Sequence, residues 1–344
     1  MKNPAQAQDL HVLAGDVGGT KTNLALFDSD LGLNHPLTEA TLPSKDYSSL
    51  EELVQHFLSG VETRVDRASF GVPGPVENGQ ASATNLPWTM NEADLARVLG
   101  IPRVHLLNDV LAFAHAVPFF QEKDVHVLNQ GQPEEEGAIA VVAPGTGLGE
   151  AYLTWDGAGY HAFASEGGHC DFAPRNDLEI GLLQYLGQRL DHVSYESVCS
   201  GRGIANIYTY LKESGYAGEP EWLRDQLAES GDSAAVIVQA AQDQGARCDL
   251  CSGALDLFVS ILGAEAGNMA LKVMATGGIY LAGGIPARIM PQLEEGPFLR
   301  AFMQKGRMSG LVQNVPVRVL SNPKAALLGA ACHSMSQGPQ DHEL

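Results

Sequence analysis

The chain has 344 residues, of which 44% are hydrophobic and 18% charged, and its formal net charge is −20. This length predicts about two domains with substantial hydrophobic cores, as in a soluble globular protein. The negative charge argues against nucleic acid or an anionic membrane surface as the main partner. No signal peptide and no membrane-spanning run of about 18 apolar residues is predicted. Five cysteines without an export signal favour reduced thiols and a cytoplasmic location.

The first motif lies in the segment VLAGDVGGTKTNLALFD, residues 12–28. An apolar run meets Asp16, crosses Gly18, Gly19 and Thr20, and returns in an alternating pattern, which predicts a β-hairpin whose turn can bind phosphate. A P-loop would need glycine where Thr20 stands and a helix afterwards, so that alternative fails. An ordinary hairpin without a ligand stays open. A carboxylate such as Asp16, among amides that suit phosphate, would face a metal ion directly or through water.

Strands and helices alternate after this hairpin, which predicts a mixed sheet flanked by helices. The predicted elements are a strand in PLTEATLP, a helix over residues 48–61, a strand before GVPGP, a helix over residues 91–99, and the strand RVHLL. Asn108 and Asp109 lie between the strand RVHLL and a predicted helix in VLAFAHAV, at the strand end where open α/β sheets bind ligands. Both residue types also cap helices, and the two interpretations are not exclusive.

A second segment, GAIAVVAPGTGLGEAYLTW, repeats the pattern of the first. An apolar strand bends at Gly145, Thr146 and Gly147, and an alternating strand follows, so a Rossmann motif, which needs a helix there, does not fit. The two hairpins indicate a duplicated architecture with one phosphate-binding turn in each half. The polar residues 121–136 before the second hairpin predict a loop or a short strand between domains.

The segment SEGGHCDF places Glu166 and His169 three residues apart with two glycines between them, which argues against a helical zinc site of the HExxH type. Alone, His169 is more typical of a structural, hydrogen-bonded histidine. Helical patterns then run from residue 178 to about residue 274, and Glu196 precedes a turn that begins one of these helices. Strands in TGGIYLAGG and VPVRVLS and a final helix complete the predicted elements.

Cys248 and Cys251 form a CxxC pair without a second pair at zinc-finger spacing. We interpret them as two incidental thiols on or near a helix rather than as a redox or metal site.

Six motifs closely resemble, in order, those of the bacterial glucokinase family: LAGDVGGTKTNLALFD, LLNDVLAFAHAV, APGTGLGEAYL, SEGGHCDFAP, ESVCSGRGIANIY and IYLAGGIPARI. The resemblance covers about residues 12–333. It implies a two-domain α/β fold of the actin-like ATPase (ribonuclease H-like) type, with mixed sheets flanked by helices and an interdomain cleft that holds Mg-ATP. The implied domains are residues 1–109 with 323–344, and residues 110–322. The implied reaction is phosphorylation of the glucose 6-hydroxyl by ATP with Mg²⁺.

The resemblance also implies a role for each matching residue. Asp109 resembles the catalytic base. Because Asp109 fills that role, Asp16 is better assigned to the metal ion than to proton transfer. The implied sugar-binding residues are Asn108, Asp109, Glu166, His169 and Glu196. The implied nucleotide-binding residues are Asp16, Gly18, Gly19, Thr20, Gly145, Thr146, Gly147, Gly283 and Gly284. The resemblance is also the only ground for expecting a homodimer.

Two features bear on the choice of subfamily. Lys21 and Thr22 resemble the related ROK kinases, whereas the chain lacks their zinc motif CxCGxxGC, so zinc is not expected. The alternatives are a kinase for another hexose such as mannose, a kinase that uses another phosphoryl donor, and a non-catalytic sugar sensor. The sensors carry an N-terminal DNA-binding helix pair, for which the short segment before the first strand has too few residues, and the acidic charge opposes DNA binding.

Overall fold

The computed structural model describes residues 10–83, 86–243, 245 and 248–336. The chain divides into two compact units, Met1–Phe120 with Asn322–Leu344, and Gln121–Ser321. Residues 1–9 and 337–344, which belong to the predicted N-terminal domain, lie outside the described residues.

The first unit is built on a five-stranded sheet with the strand order β3-β2-β1-β4-β7, beside a two-stranded sheet of β5 and β6. The first three strands are antiparallel neighbours, whereas β1, β4 and β7 are parallel. The strands are β1 (His11–Val17), β2 (Lys21–Asp28), β3 (Thr38–Pro43), β4 (Arg67–Val72), β5 (Gln80–Ser82), β6 (Thr89–Asn91) and β7 (Arg103–Asn108). The helices are α1 (Leu50–Leu58), α2 (Glu92–Leu99), α3 (Asp109–Ala116) and α13 (Ala325–Ser336).

The apolar run of β1 is buried on both faces because alternate side chains of a strand point to opposite sides of the sheet. Leu13 lies in a core with Phe70 and residues of α1 and α2. Its neighbour Val12 lies in a second core with Phe27 and Leu327 of α13. The final helix therefore covers one face of the N-terminal sheet, as the resemblance implies.

The two helices on that face, α3 and α13, are in close contact. A methyl group at Gly329 of α13 would overlap the carbonyl oxygen of Ala112 in α3, so the backbones approach here as only glycine allows. The predicted domain boundary after Asp109 falls at the start of α3. Because α3 packs on α13 inside the first unit, the structure moves this boundary to the C-terminal side of α3.

The second unit contains a six-stranded sheet with the order β11-β10-β9-β12-β13-β8. Its strands are β8 (Val125–Asn129), β9 (Ile139–Pro144), β10 (Leu148–Trp155), β11 (Tyr160–Ser165), β12 (Gly278–Leu281) and β13 (Val317–Leu320). Its helices are α4 (Asp177–Gly187), α5 (Gly201–Glu213), α6 (Glu221–Glu229), α7 (Ser233–Gln242), α8 (Asp249–Lys272), α9 (Gly284–Arg288), α10 (Met290–Glu294), α11 (Pro297–Met303) and α12 (Ser309–Gln313).

The topology of the two sheets confirms the predicted duplication. Strands β9, β10 and β11 form an antiparallel meander, as β1, β2 and β3 do, and the parallel strands β12 and β13 follow as β4 and β7 follow in the first unit. Residues 121–136, predicted as a loop or a short strand, contain β8, which pairs with β13 at the sheet edge.

Helix α8 is the core helix of the second unit. Within the described part of the chain it alone has the length and apolar composition to cross a membrane, yet 83% of its apolar stretch is buried. The Sγ atom of Cys248 accepts a hydrogen bond from the backbone N–H of Cys251 and so caps the start of α8. Both thiols are buried and unoxidised, which fits the structural interpretation of the CxxC pair.

Candidate active site

Asn108 and Asp109 lie at the carboxyl edge of the first sheet, because β1, β4 and β7 are parallel and end on the same side. Asn108 is the N-cap of α3: its Oδ1 atom accepts the N–H of Val110 at 2.9 Å. Its Nδ2 atom donates to the carbonyl of Gly74 at 3.0 Å. The capping interpretation of Asn108 is thus confirmed, and the cap fixes the direction in which the next side chain leaves the helix.

Asp109 is the first residue of α3, and its Oδ1 atom accepts the N–H of Val110 at 2.9 Å. Burial raises the pKa of Asp109 to about 6; the hydrogen bond from Val110 opposes this shift, and the charge of Asp16 adds to it. At neutral pH the carboxylate is therefore ionised, while its proton affinity exceeds that of an ordinary aspartate. Such a group is suited to accept a proton from a substrate hydroxyl.

Asp16 lies near the end of β1, just before the first glycine turn. Its Oδ2 atom accepts a hydrogen bond from the Nδ2 atom of Asn23 at 3.1 Å, across the β1–β2 hairpin. Burial raises the pKa of Asp16, although Asn23 and the charge of Lys21 act in the opposite direction. The turn itself is closed by the N–H of Gly18, which donates to the carbonyl of Lys21.

Ser44 forms hydrogen bonds with this turn, and the sequence analysis did not identify it. It lies in a short 3-10 segment after β3 and is fully buried. Its hydroxyl donates to the carbonyl of Gly18 at 2.6 Å and contacts the Thr22 hydroxyl at 2.9 Å, while its N–H donates to the carbonyl of Thr20. The first turn is therefore held by three bonds to a residue with no motif of its own.

The second glycine turn joins β9 to β10. The N–H of Gly145 donates to the carbonyl of Gly147 at 2.8 Å, and the N–H of Gly201, the first residue of α5, donates to the carbonyl of Gly145. Gly283 has a φ of 84° and lies so close to the Pro144 carbonyl that a side chain would collide with it. The structure thus brings the predicted phosphate turn and the first glycine of the predicted adenosine motif together.

Glu196 connects this turn to the segment that contains Glu166 and His169. Its Oε2 atom accepts the N–H of Leu148 at 3.0 Å, directly after the turn. Its Oε1 atom pairs with Arg202 at 2.9 Å, and its backbone N–H donates to the carbonyl of Gly168. One residue therefore contacts both predicted binding segments of the second unit.

We call residues 166–169 the sugar loop, because the resemblance assigns its two polar ends to the sugar. Glu166 precedes a single 3-10 turn formed by Gly167–His169. The His169 Nε2 atom lies 3.9 Å from the Glu166 Oε2 atom, and both side chains are largely exposed. The loop thus presents a carboxylate and an imidazole side by side to solvent, with donor and acceptor capacity for sugar hydroxyls.

Among the described residues, no three His, Cys, Asp or Glu side chains are arranged to hold a metal ion. Mg²⁺ does not need such a cage, because it is commonly held by one or two carboxylates, water and substrate phosphates. Asp16, a half-buried carboxylate beside a glycine turn, fits that donor set.

The two sheets with their flanking helices give the chain an α/β fold of the actin-like type. A ROK family glucokinase from Streptomyces griseus, solved with glucose and AMPPNP, shares this fold with a TM-score of 0.61 at 20% identity, covering 95% of this chain and 100% of that one.

Matches with higher sequence identity show the family of this chain. The family model Glucokinase matches residues 13–337. The glucokinase of Nostoc punctiforme is 40% identical, over 93% of this chain and 97% of that protein. The crystal structure of a glucokinase from an Antarctic psychrotroph has a TM-score of 0.80 at 33% identity and covers 96% of this chain and 100% of that one. The chain belongs to the glucokinase family and is an ATP-dependent kinase that phosphorylates glucose.

Proposed function

We propose that Asp109 is the general base of this kinase and takes the proton of the glucose 6-hydroxyl as that oxygen attacks the γ-phosphorus of ATP. The observation that carries this proposal is the position of Asp109 at the edge of the parallel strands, where burial raises its pKa to about 6. A base with a pKa just below neutral pH is ionised and still a good proton acceptor. General base catalysis of this kind contributes about 10²–10⁴-fold to the rate.

The sugar would be bound by the side chains that the family resemblance assigns to it, Asn108, Asp109, Glu166, His169 and Glu196. Carboxylates, an amide and an imidazole offer directional partners to several hydroxyls, and a sugar that leaves one of them unpaired is disfavoured. The contact of Glu196 with Leu148 and Gly168 supports a role in which sugar binding also steadies the second phosphate turn.

The phosphates of ATP would be bound by the backbone amides of the two turns, formed by Gly18, Gly19 and Thr20, and by Gly145, Thr146 and Gly147. Thr20 and Thr146 are exposed, so their hydroxyls are available to phosphate oxygens. Gly283 and Gly284 would border the adenosine. Asp16 would hold Mg²⁺, directly or through water, and the ion would neutralise charge on the β- and γ-phosphates.

The product, glucose 6-phosphate, would enter glycolysis in the cytoplasm. The free state of the five cysteines supports a reducing compartment, and the net charge of −20 supports the absence of nucleic acid and membrane partners. A homodimer rests on the family resemblance alone.

A coupled assay with a panel of hexoses and phosphoryl donors tests the substrate assignment. We expect glucose and ATP to give the highest kcat/KM, because the sugar-binding set is the one that resembles glucokinases. A higher value with mannose or another hexose, or with another phosphoryl donor, would favour the alternative kinases.

Substitution of Asp109 tests the catalytic assignment. We expect Asp109→Ala to lower kcat by at least about 10²-fold while glucose binding, measured by calorimetry, stays detectable, because the base acts in the transition state. Asp94→Ala is a matched control, since Asp94 is an exposed aspartate of the same unit whose side chain pairs with Arg97. Near-normal turnover of the Asp109→Ala variant would refute the assignment.

A further inference from the structure

Glu150 is a buried acid for which the proposed mechanism has no use. It lies in β10, and 2% of its surface is exposed. Within the described residues, neither of its carboxyl oxygens accepts a hydrogen bond from a donor, and the side chain within bonding reach is another acid, Glu265. A buried ionised carboxylate without a partner is strongly disfavoured, so its presence calls for an explanation.

The Glu150 carboxyl lies directly beneath the sugar loop. In the β10–β11 pairing, Glu150 is opposite Ser165, the residue that precedes the loop. A methyl group at Gly167 would overlap the Glu150 Oε2 atom, so the carboxyl touches the middle of the loop. The Gly167 N–H donates to the Ser165 hydroxyl at 3.0 Å. A change in the volume, hydration or charge of this carboxyl therefore acts directly on the backbone between Glu166 and His169.

The charges that act on Glu150 are those of Glu265 and Lys272, both on α8. Glu265 is fully buried; its Oε1 atom accepts from Lys272 at 3.0 Å and its Oε2 atom from Asn268 at 2.9 Å. Lys305 donates to Asn268 and to the backbone of Ala264 rather than to either carboxyl. The remaining titratable groups near this cluster are Cys170, Arg175, Tyr195 and Cys199. Glu150 and Glu265 thus lie near one ammonium group, that of Lys272. This group bonds to Glu265 and leaves Glu150 without a cation partner.

We propose that Glu150 is a positioning residue that acts in its protonated form: a neutral carboxyl under Gly167 keeps the sugar loop in the conformation that binds glucose, and ionisation disturbs it. This inference rests on the proposed role of Glu166 and His169. Burial, together with the charge of Glu265, raises the pKa of Glu150 to about 8, against the opposing effect of Lys272. The neutral form therefore predominates at pH 7, the two forms are about equal near pH 8, and the ionised form predominates at higher pH.

The first test compares the pH dependence of the glucose KM in the wild type and in Glu150→Gln, which mimics the protonated acid. We expect the wild-type KM to rise above pH 8, by up to about tenfold per pH unit, while kcat stays constant. Glu150→Gln should match the wild type within about twofold at pH 7 and show no rise up to pH 9. Burial lowers the pKa of Lys305 to about 8, so this residue could also cause a rise in KM. A glucose KM of Glu150→Gln that stays constant up to pH 9 would assign the rise to Glu150.

Glu179→Gln is the matched control, because Glu179 is a fully buried acid on α4 of the same unit and pairs with Arg175. It should keep the wild-type alkaline rise. The proposal is overturned if Glu150→Gln retains that rise, or if its glucose KM at pH 7 is tenfold or more above the wild type. Absence of glucose phosphorylation by the wild type at pH 7 would instead refute the proposed function.

A second measurement needs no variant. If glucose binds the form with protonated Glu150, binding at pH 8.5 should take up a fraction of a proton, approaching about one at higher pH, whereas at pH 7, where Asp109 is mostly ionised and Glu150 mostly neutral, the uptake should be close to zero. Isothermal titration calorimetry in buffers of different ionisation enthalpy reports this number. Proton uptake of zero at pH 8.5 would contradict the proposal.

Discussion

The pKa of Asp109 sets the pH below which the proposed reaction loses activity. Because burial raises its pKa to about 6, the carboxylate is ionised above that pH and protonated below it, and only the ionised form can accept a proton. We expect kcat/KM for glucose to vary by no more than about twofold between pH 7 and 8 and to fall about tenfold per pH unit well below pH 6. Initial rates with saturating ATP from pH 5 to 8 measure this profile, with circular dichroism at each pH as the control for folding. A constant value down to pH 5 would contradict the assignment.

Sequence reasoning identified Asn108 and Asp109 because a strand followed by two polar residues and a helix is a local pattern. It did not show that both polar ends of the Asn108 side chain are already engaged with Val110 and Gly74. It also missed Ser44 and Glu150. Ser44 meets Gly18 only after β3 has turned back on the hairpin, and Glu150 meets Gly167 across a strand pair, so neither contact leaves a signal in a short stretch of sequence.

The first glycine turn and the 3-10 segment behind it form one element with a testable effect on ATP binding. Ser44→Ala removes the hydroxyl that donates to the Gly18 carbonyl at 2.6 Å and leaves that buried acceptor with one partner fewer. We expect a loss of about 1–3 kcal/mol in unfolding free energy. We also expect the KM for ATP to rise by up to about tenfold with little change in the glucose KM, since the turn loses its support.

Ser49→Ala is the control for Ser44→Ala. The Ser49 hydroxyl caps α1 in the same unit by accepting the N–H of Glu52 at 3.3 Å, so its loss should cost about 1 kcal/mol of stability. The ATP KM should stay at the wild-type value in this variant. An equal rise in both variants would mean that the effect is one of general stability.

The two hairpins could be predicted because each pairs an apolar run with an alternating one around glycine. For residues 121–136 a loop and a short strand both stayed open, since the five residues of β8 are partly exposed and form a strand by pairing with β13, far along the chain. Helix α3 was predicted at its observed position but assigned to the other domain. Its partner α13 lies more than two hundred residues away in sequence. The contact between Gly329 of α13 and Ala112 of α3 places α3 in the first unit.

Across the whole molecule, two buried titratable groups, Glu150 and His333, make opposite contributions to the pH dependence of stability. In the second unit, Glu150 is neutral when folded, whereas an unfolded glutamate ionises near pH 4.5, so its burial costs stability as the pH rises from 4.5 to about 8. In the first unit, His333 of α13 contacts His105, His115 and the Ser69 hydroxyl. Burial and these two histidines lower the pKa of His333 to about 3.

His333 should therefore make the first unit sensitive to acid. Between pH 6.5 and 3 the unfolded state binds a proton that the folded state excludes, so stability should fall by about 1.4 kcal/mol per pH unit from this residue and be unaffected by it above pH 6.5. His333→Asn removes the titration, and urea unfolding of variant and wild type between pH 4.5 and 7.5 compares the slopes. Local hydrogen exchange in β1, which packs on α13, reports the first unit separately. We expect the variant to lose stability less steeply below pH 6.5, even if its stability at pH 7.5 is lower because of altered packing. Equal slopes in the two proteins would show that His333 takes up its proton in the folded state at an ordinary pKa.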